Sequence, residues 1–310
     1  METFYKYSKY HDLKSFIKPV IRLSPTRVLN DPFESRLNQD VITNIHQKLS
    51  ASGVGFDLPH NFPKKFETPF LMSRIHDEVD SYGIVSLSET PRNILMWAHY
   101  ANEHEGICVE YRNDLFESLP DKVFNEFSFA ERYMPVKVNY DNIRPQVLSE
   151  AFTQPEKLKH YIYQQLTTKS DDWMYEKEHR CLIPTQWADE VKIIPDSDAD
   201  IDMRQSELIQ GFIRSGKIKK NENGNYEGPL LGVMISVYKR AKGAVFLKNI
   251  QKNSIVSIYL GLRFDRQKRN ELISYLSKKD NGLSHINIYQ CSLSDNRFEI
   301  KPYPVSLNIT

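Results

Sequence analysis

Residues 82–111 read YGIVSLSETPRNILMWAHYANEHEGICVEY. Tyr82-Gly83-Ile84-Val85-Ser86-Leu87-Ser88 is short, apolar and β-branched at its centre, which predicts a buried strand. Thr90-Pro91 predicts a helix start, with proline at the favoured first position. The helix is expected through Ile94-Leu95-Met96-Trp97-Ala98-His99-Tyr100, with Gly106 ending it. Ile107-Cys108-Val109-Glu110-Tyr111 predicts the next strand.

Upstream, Phe4-Tyr5-Lys6-Tyr7 is a short β-prone run. His11 to Lys18 predicts a short helix stopped by Pro19, and Val20 to Ser24 a strand of alternating faces. Leu29-Asn30-Asp31-Pro32-Phe33 predicts a turn, because Asn and Asp before proline favour turn geometry. Asp40 to Ser50 and Pro69 to Asp80 have helical character, with a Gly- and Pro-rich loop from Gly53 to Pro69. Downstream, Pro135 to Tyr140 predicts a strand, Glu156 to Ser170 a polar helix, and Trp173 to Pro184 the lead into another strand. After Pro195 the composition shifts. Asp196 to Asp202 is acidic and Gly216 to Gly228 is rich in Lys, Asn and Gly, so residues 196–250 are expected to form an insertion or mobile lobe. Ser254 to Leu260 and Ile286 to Cys291 are strands around an amphipathic helix at Asp265 to Lys278, with Phe298 to Ile300 beside them. There is no internal repeat or low-complexity tract. The sum is one α+β domain over 1–310, of short strands mostly not linked by regular helices.

A chain of 310 residues, 40% hydrophobic and 12% aromatic, can bury a full core and is not wholly disordered. Lys+Arg 41 against Asp+Glu 40 gives +1, which excludes a polyanion-binding module overall and leaves a local basic groove open. No run approaches the ~18 apolar residues of a transmembrane helix. The opening METFYKYSKY has no apolar h-region, so no signal peptide and no membrane partner are expected. Cys108, Cys181 and Cys291 are widely spaced and odd in number, which suits neither a disulfide framework nor a zinc knuckle and points to a reducing cytoplasm. No GxGxxG, GxxxxGK[ST], GxSxG, HExxH or paired CxxC motif is present, and no metal site is expected.

Four clusters hold polar groups where packing alone would not choose them. In Tyr5-Lys6-Tyr7 the tyrosines point one way and the lysine the other. The run is either an amphipathic edge strand or one wall of a ligand cleft. Asn30-Asp31-Pro32-Phe33 is either a structural turn or a loop lining a site. Ser86 and Ser88 share a strand face, and His99 shares a helix face with Met96. Either these pack in the core, or the hydroxyls hold a ligand and the imidazole serves as a donor. Glu176 and Glu178 are spaced i,i+2, so on a strand both face one way, with Tyr175, Lys177 and His179 opposite. Two carboxylates on one face repel. The pair is either salt-bridged to Arg180 or a nearby lysine, or it stabilises developing positive charge or acts as a general base. Arg214 to Lys220, with Tyr226 nearby, is a basic patch, either a solvated loop or a contact for phosphates.

Taken in order, YKY (5–7), LNDPFE (29–34), SLSE (86–89), MWAHYANEHEGICVEY (96–111), KVNY (137–140), WMYEKEHR (173–180) and SIYLGLRF (257–264) resemble a bacterial family catalogued as domain of unknown function 2971. The order is also similar to the split, mostly antiparallel sheet of ADP-ribosyltransferases, here with peripheral helices and an inserted lobe. Those enzymes present a first-strand Arg or His, an S-x-S-type second strand, and a Glu, often as E-x-E, before a later strand. Ser86-Leu87-Ser88 and Glu176-Lys177-Glu178 match. The first position departs, because Tyr5-Lys6-Tyr7 holds neither Arg nor His, and its role falls to Lys6, Tyr7 or Arg22.

The resemblance implies NAD as substrate, Glu178 as the catalytic carboxylate, Glu176 as the acceptor-positioning residue and His99 as a further catalytic group. Ser86 and Ser88 would brace the nicotinamide-ribose pocket, and Trp97 or Tyr100 would stack on nicotinamide. Tyr5, Lys6, Tyr7, Arg22, Asn30, Asp31, Tyr175 and Arg180 complete the expected NAD-binding set. The implied activity is transfer of ADP-ribose to RNA, DNA or protein by a cytoplasmic toxin or phage-defence effector, with an antitoxin or immunity protein as a further partner. Two other classes stay open. One is a non-catalytic ligand-sensing module using the same clusters. The other is a metal-dependent nuclease or hydrolase using Asp171, Asp172, Glu176 and Glu178, since carboxylates suit Mg²⁺.

Overall fold

The computed structural model describes residues 2–38, 73, 75–116, 133–146, 155–194, 206–241 and 243–305. The expected helix at 40–50, the loop at 53–69, the first turn of the helix at 69–80 and the acidic run at 196–202 lie outside the described residues. In chain order the elements are β1 (Thr3–Ser8), α1 (Lys14–Ile17), β2 (Val20–Leu23), β3 (Tyr82–Ser88), α2 (Ile94–Tyr100), β4 (Ile107–Arg112), β5 (Val136–Lys137) and β6 (Asn139–Tyr140). They continue with α3 (Pro155–Thr167), β7 (Thr168–Lys169), β8 (Glu178–Pro184), β9 (Glu190–Ile193), α4 (Ser206–Arg214), β10 (Lys219–Lys220), β11 (Tyr226–Glu227) and α5 (Leu231–Tyr238). The last are β12 (Ala244–Asn249), β13 (Ile255–Leu260), α6 (Arg266–Leu276), β14 (Asn287–Leu293) and β15 (Ile300–Pro304).

The fold is mixed α+β. Its larger sheet runs β15-β14-β13-β4-β1-β3-β8-β5 and is antiparallel except for the β13–β14 pair. A second, antiparallel sheet runs β10-β11-β9-β12-β2, and β6 pairs with β7 in parallel. Phe4, Leu87, Val109 and Ile258 of the larger sheet share one buried cluster with Ile21, Leu23, Val191 and Phe246 of the second. Each such side chain removed from water contributes about 1.5–3 kcal/mol, so this cluster holds the sheets together.

The larger sheet opens between β1 and β3. These strands pair only at Tyr5↔Ser88, whereas at its other end β3 bridges Ser24, just after β2, through Ser24↔Ile84. Gly83 permits that second approach, because a Cβ there would stand 2.4 Å from the Leu23 Cβ. Between the two pairings, at Ser86, β3 pairs with no strand on that side among the described residues. Lys6 reaches across instead, its Nζ donating to the Ser86 carbonyl at 3.1 Å.

Four local expectations need correction. Helix α2 starts at Ile94, not at Pro91: Asn93 is the cap, its side chain accepting from the Leu95 and Met96 N–H groups, and the helix ends at Tyr100, before Gly106. The run at 135–140 is not one strand but breaks at Val138, whose N–H donates to the Glu178 carbonyl at 2.9 Å. Glu176 is not on a strand. It closes a 3₁₀ turn, Asp171–Glu176, and Lys177 then takes a left-handed φ of 46° before β8 begins at Glu178. The described part of 196–250 is no loose lobe either, since β12 lies between β9 and β2, and Ile218 and Phe246 are completely buried. No helix among the described residues is long and apolar enough to cross a membrane.

Candidate functional site

A cavity of 170 Å³ occupies the gap between β1 and β3. Tyr5 and Lys6 come from β1, Ser86 and Ser88 from β3, Tyr100 from the last turn of α2, and Glu178 and Arg180 from β8. A second cavity of 270 Å³ adjoins it, and Glu34 and Lys169 line both.

Glu34, Lys169, Glu176, Glu178 and Arg180 are all buried at this junction. Isolated buried charges are costly, so their pairing decides whether the arrangement is tolerable. Arg180 holds Glu178 with two bonds, Nε to Oε1 at 2.9 Å and Nη2 to Oε2 at 3.0 Å. It also donates to the Leu166 carbonyl at 2.7 Å and to Glu34 Oε1. Lys169 Nζ bridges Glu178 and the third carboxylate, 2.6 Å from Glu176 Oε2 and 3.3 Å from Glu178 Oε2, and lies 4.5 Å from the Trp173 ring centre. Tyr100 donates its hydroxyl proton to Glu176 Oε1, and Asn30 donates to that same hydroxyl oxygen at 3.2 Å.

Three carboxylates thus face two cations, and they titrate apart. Burial alone would raise the pKa of Glu178, but the Arg180 guanidinium, the Lys169 ammonium and hydrogen bonds from Arg180 and Ser86 outweigh it and hold the group near about 2. For Glu176, burial wins over Lys169, and the neighbouring charge of Glu178 adds to it, so the pKa rises. For Glu34, burial likewise outweighs the Arg180 charge, and the pKa rises. Burial lowers the pKa of Lys6 despite the attraction of Glu178. Lys169 goes the other way, because Glu178 and Glu176 outweigh its burial. Glu178 is the firmly ionised carboxylate of the site.

The structure brings most of the expected residues together and leaves some apart. Tyr5, Lys6, Tyr7, Asn30, Ser86, Ser88, Tyr100, Glu176, Glu178 and Arg180 all line the first cavity, and Asp31 lines the second. Several are also structural. Tyr5 donates to Glu110 Oε1 at 3.1 Å, Tyr7 to the Thr90 carbonyl at 2.7 Å, and Ser88 to the Glu176 carbonyl at 2.7 Å. Asp31 is both turn and wall, its Oδ1 accepting from the Phe33 N–H at 2.9 Å. Trp97 does not stack on a ligand: it is fully buried, edge-on to Tyr7 at 5.2 Å, with Nε1 donating to the Pro91 carbonyl at 2.8 Å. His99 is exposed, its ring 6.1 Å from Tyr175, and neither residue lines the cavity; nor does Arg22, on the exposed face of β2.

Glu176 and Glu178 converge as expected, but the left-handed turn at Lys177 and the bridging Lys169 achieve it, not strand alternation. Glu34 and Lys169 were absent from the expected set. Glu34 carried a signal, closing the LNDPFE run three residues after Asp31; Lys169 carried none. Asp171 and Asp172 are exposed, and among the described residues no group of three or more His, Cys, Asp or Glu side chains is placed to hold a metal ion. The basic patch forms an exposed hairpin that pairs with itself, Lys219 with Glu227 at 3.4 Å and Lys220 over the Tyr226 ring at 5.1 Å.

Asn93 couples α2 to the carboxylate turn. Besides capping the helix, its amide donates to the Tyr175 carbonyl, one residue before Glu176. Asn93→Ala is expected to cost about 1–2 kcal/mol, read as a lower thermal midpoint by circular dichroism.

Comparison with known proteins adds one finding. A family described as "Protein of unknown function (DUF2971)" matches residues 96–181, a stretch that runs from α2 through Glu176, Glu178 and Arg180. The resemblance to domain of unknown function 2971 is borne out over that stretch, which is narrower than the whole-length order of motifs. No curated protein and no solved structure matches the chain.

Proposed function

We propose that this DUF2971 chain is an NAD-dependent ADP-ribosyltransferase that modifies a macromolecule, RNA, DNA or protein, as a bacterial toxin or phage-defence effector. The fold type that goes with this reading is the split ADP-ribosyltransferase sheet. Its support is the adjacency of β1, β3 and β8, with a gap beside the serine strand. Free, buried Cys108, Cys181 and Cys291 suit the cytoplasm, and an antitoxin or immunity protein belongs to the same reading.

The observation that carries it is the buried, ionised Glu178 beside the Ser86 hydroxyl. Breaking the nicotinamide–ribose bond builds positive oxocarbenium character at the ribose carbon. A fixed anion beside that carbon lowers the barrier, and the low pKa keeps Glu178 anionic at neutral pH. Glu176, with its raised pKa and its bond from Tyr100, orients the acceptor. Lys6 takes the place of the missing first-strand Arg or His. At 170 Å³ the first cavity is smaller than the roughly 300–1,000 Å³ of whole-ligand pockets, so it suits the nicotinamide-ribose end alone.

One observation favours a ligand-sensing module instead. Arg180 occupies both oxygens of Glu178, which blunts the field a substrate would feel. The two readings separate in one assay. NAD labelled in its adenylate half is incubated with cell extract and the protein. Label entering protein or nucleic acid with wild type, and lost in Glu178→Gln, supports transfer. No label, with a wild-type protein whose melting temperature NAD raises, leaves the sensing module.

A further inference from the structure

We propose that the 270 Å³ cavity is a ligand site in its own right, seating an amine or guanidinium group against the carboxyl of Glu34. Glu34 is 4% exposed; Oε1 accepts from Arg180, while the buried Oε2 has no hydrogen-bond partner among the described residues. A buried acceptor without a donor is destabilising, so a donor entering the cavity gains a hydrogen bond that Oε2 does not otherwise make.

The surrounding charges decide which donor. Asp31 and Asp141 also line this cavity, each with one carboxylate oxygen held by a backbone N–H, from Phe33 at 2.9 Å and from Ile143 at 2.8 Å. The two cations on the wall are already engaged. Lys169 is held by Glu176 and Glu178, and Arg144 donates to the carbonyls of Phe33, Arg36 and Leu37. With Glu34 paired to Arg180 and Lys169 paired to Glu176 and Glu178, Asp31 and Asp141 face Arg144 as the remaining cation of the wall, and this excess of negative charge favours a cation over an anion. Phe33, 54% exposed and on the same wall, already carries the Arg144 guanidinium 5.8 Å from its ring centre, so this ring is one that accepts a planar cation. The site stands apart from the transfer reading, since none of these observations involves NAD.

Agmatine, a four-carbon amine bearing a guanidinium, is the probe, with inorganic phosphate as its anionic counterpart and no NAD present. Thermal shift is followed for wild type, Glu34→Gln and Phe33→Ala. Agmatine is expected to raise the wild-type melting temperature at millimolar concentration, phosphate to leave it unchanged, and Glu34→Gln to bind agmatine at least tenfold more weakly. The proposal is overturned by equal agmatine affinity in Glu34→Gln, by stabilisation from phosphate and not agmatine, or by no response of wild type to either. Should Glu34→Gln fail to fold, Phe33→Ala decides, because that ring is largely exposed and dispensable for the core. Tenfold weaker binding then supports the site, and unchanged binding removes it.

Discussion

Arg180→Met is expected to destabilise the protein by about 3–5 kcal/mol, the scale of breaking a buried ion pair from one side. Arg180 is 1% exposed and holds Glu178, Glu34 and the Leu166 carbonyl together. Methionine fills similar volume, so the loss is electrostatic: Glu34, Glu176 and Glu178 are left with Lys169, and with Lys6 facing Glu178, as their cations. The contribution of Glu178 to the pH dependence should change sign as well. In wild type the folded pKa of Glu178 is about 2 against an ordinary 4.5, so its stabilisation is present above 4.5 and is lost as pH falls toward 2. Glu34 and Glu176, both raised, pull the other way. Without Arg180 all three carboxyls lie above their ordinary range. Their contribution is then present in acid and is lost as pH rises through the raised values. Urea melts of both proteins from pH 3 to 8 check this: the stability gap should shrink toward acid. A gap constant with pH would mean that the guanidinium is not what holds these carboxylates.

Glu178→Gln is expected to lower NAD cleavage by about 10²–10³-fold, the loss typical of removing one preformed electrostatic contact to a transition state. Its cost to the fold should be smaller than that of Arg180→Met. Removing one of three carboxylates leaves two anions for two cations, and the amide oxygen still accepts from Arg180. A variant that folds, binds NAD with unchanged affinity and cleaves it slowly is the expected result, since the charge acts on the developing cation more than on the ground state. Weaker NAD binding with no change in turnover would instead make Glu178 a binding group.

How much of this could be read in advance depends on how local each feature is. β3 is legible residue for residue, because its apolar β-prone run is bounded by polar residues at Ser81 and Glu89. β4 is legible for the same reason. The convergence of Ser86, Tyr100, Glu176 and Glu178 follows the order of motifs, yet the path at Glu176 does not, because a 3₁₀ turn and one left-handed residue leave no periodic trace. Lys169 sits just past a polar helix, between Thr168 and Ser170, with no local pattern to mark it. What buries it is the β6–β7 pair, Tyr140↔Lys169, which joins segments no local pattern connects. Trp97 and Tyr100 share a helix face at i,i+3, so sequence alone treats them alike. Packing against Tyr7 buries the first and leaves the second on the cavity wall. The gap beside Ser86 arises from β3 changing partners, from Tyr5 at one end to Ser24 at the other, and β-propensity says nothing of partner choice.

The most direct measurement is release of free nicotinamide from NAD by the 310-residue protein, with wild type and Glu178→Gln followed side by side by chromatography. Time-dependent release by wild type, falling at least a hundredfold in the folded variant, is the outcome expected of a carboxylate held ionised against a forming ribose cation. Release no faster than in buffer, or equal release by the two proteins, would contradict it and leave the cavity between β1 and β3 without that chemistry.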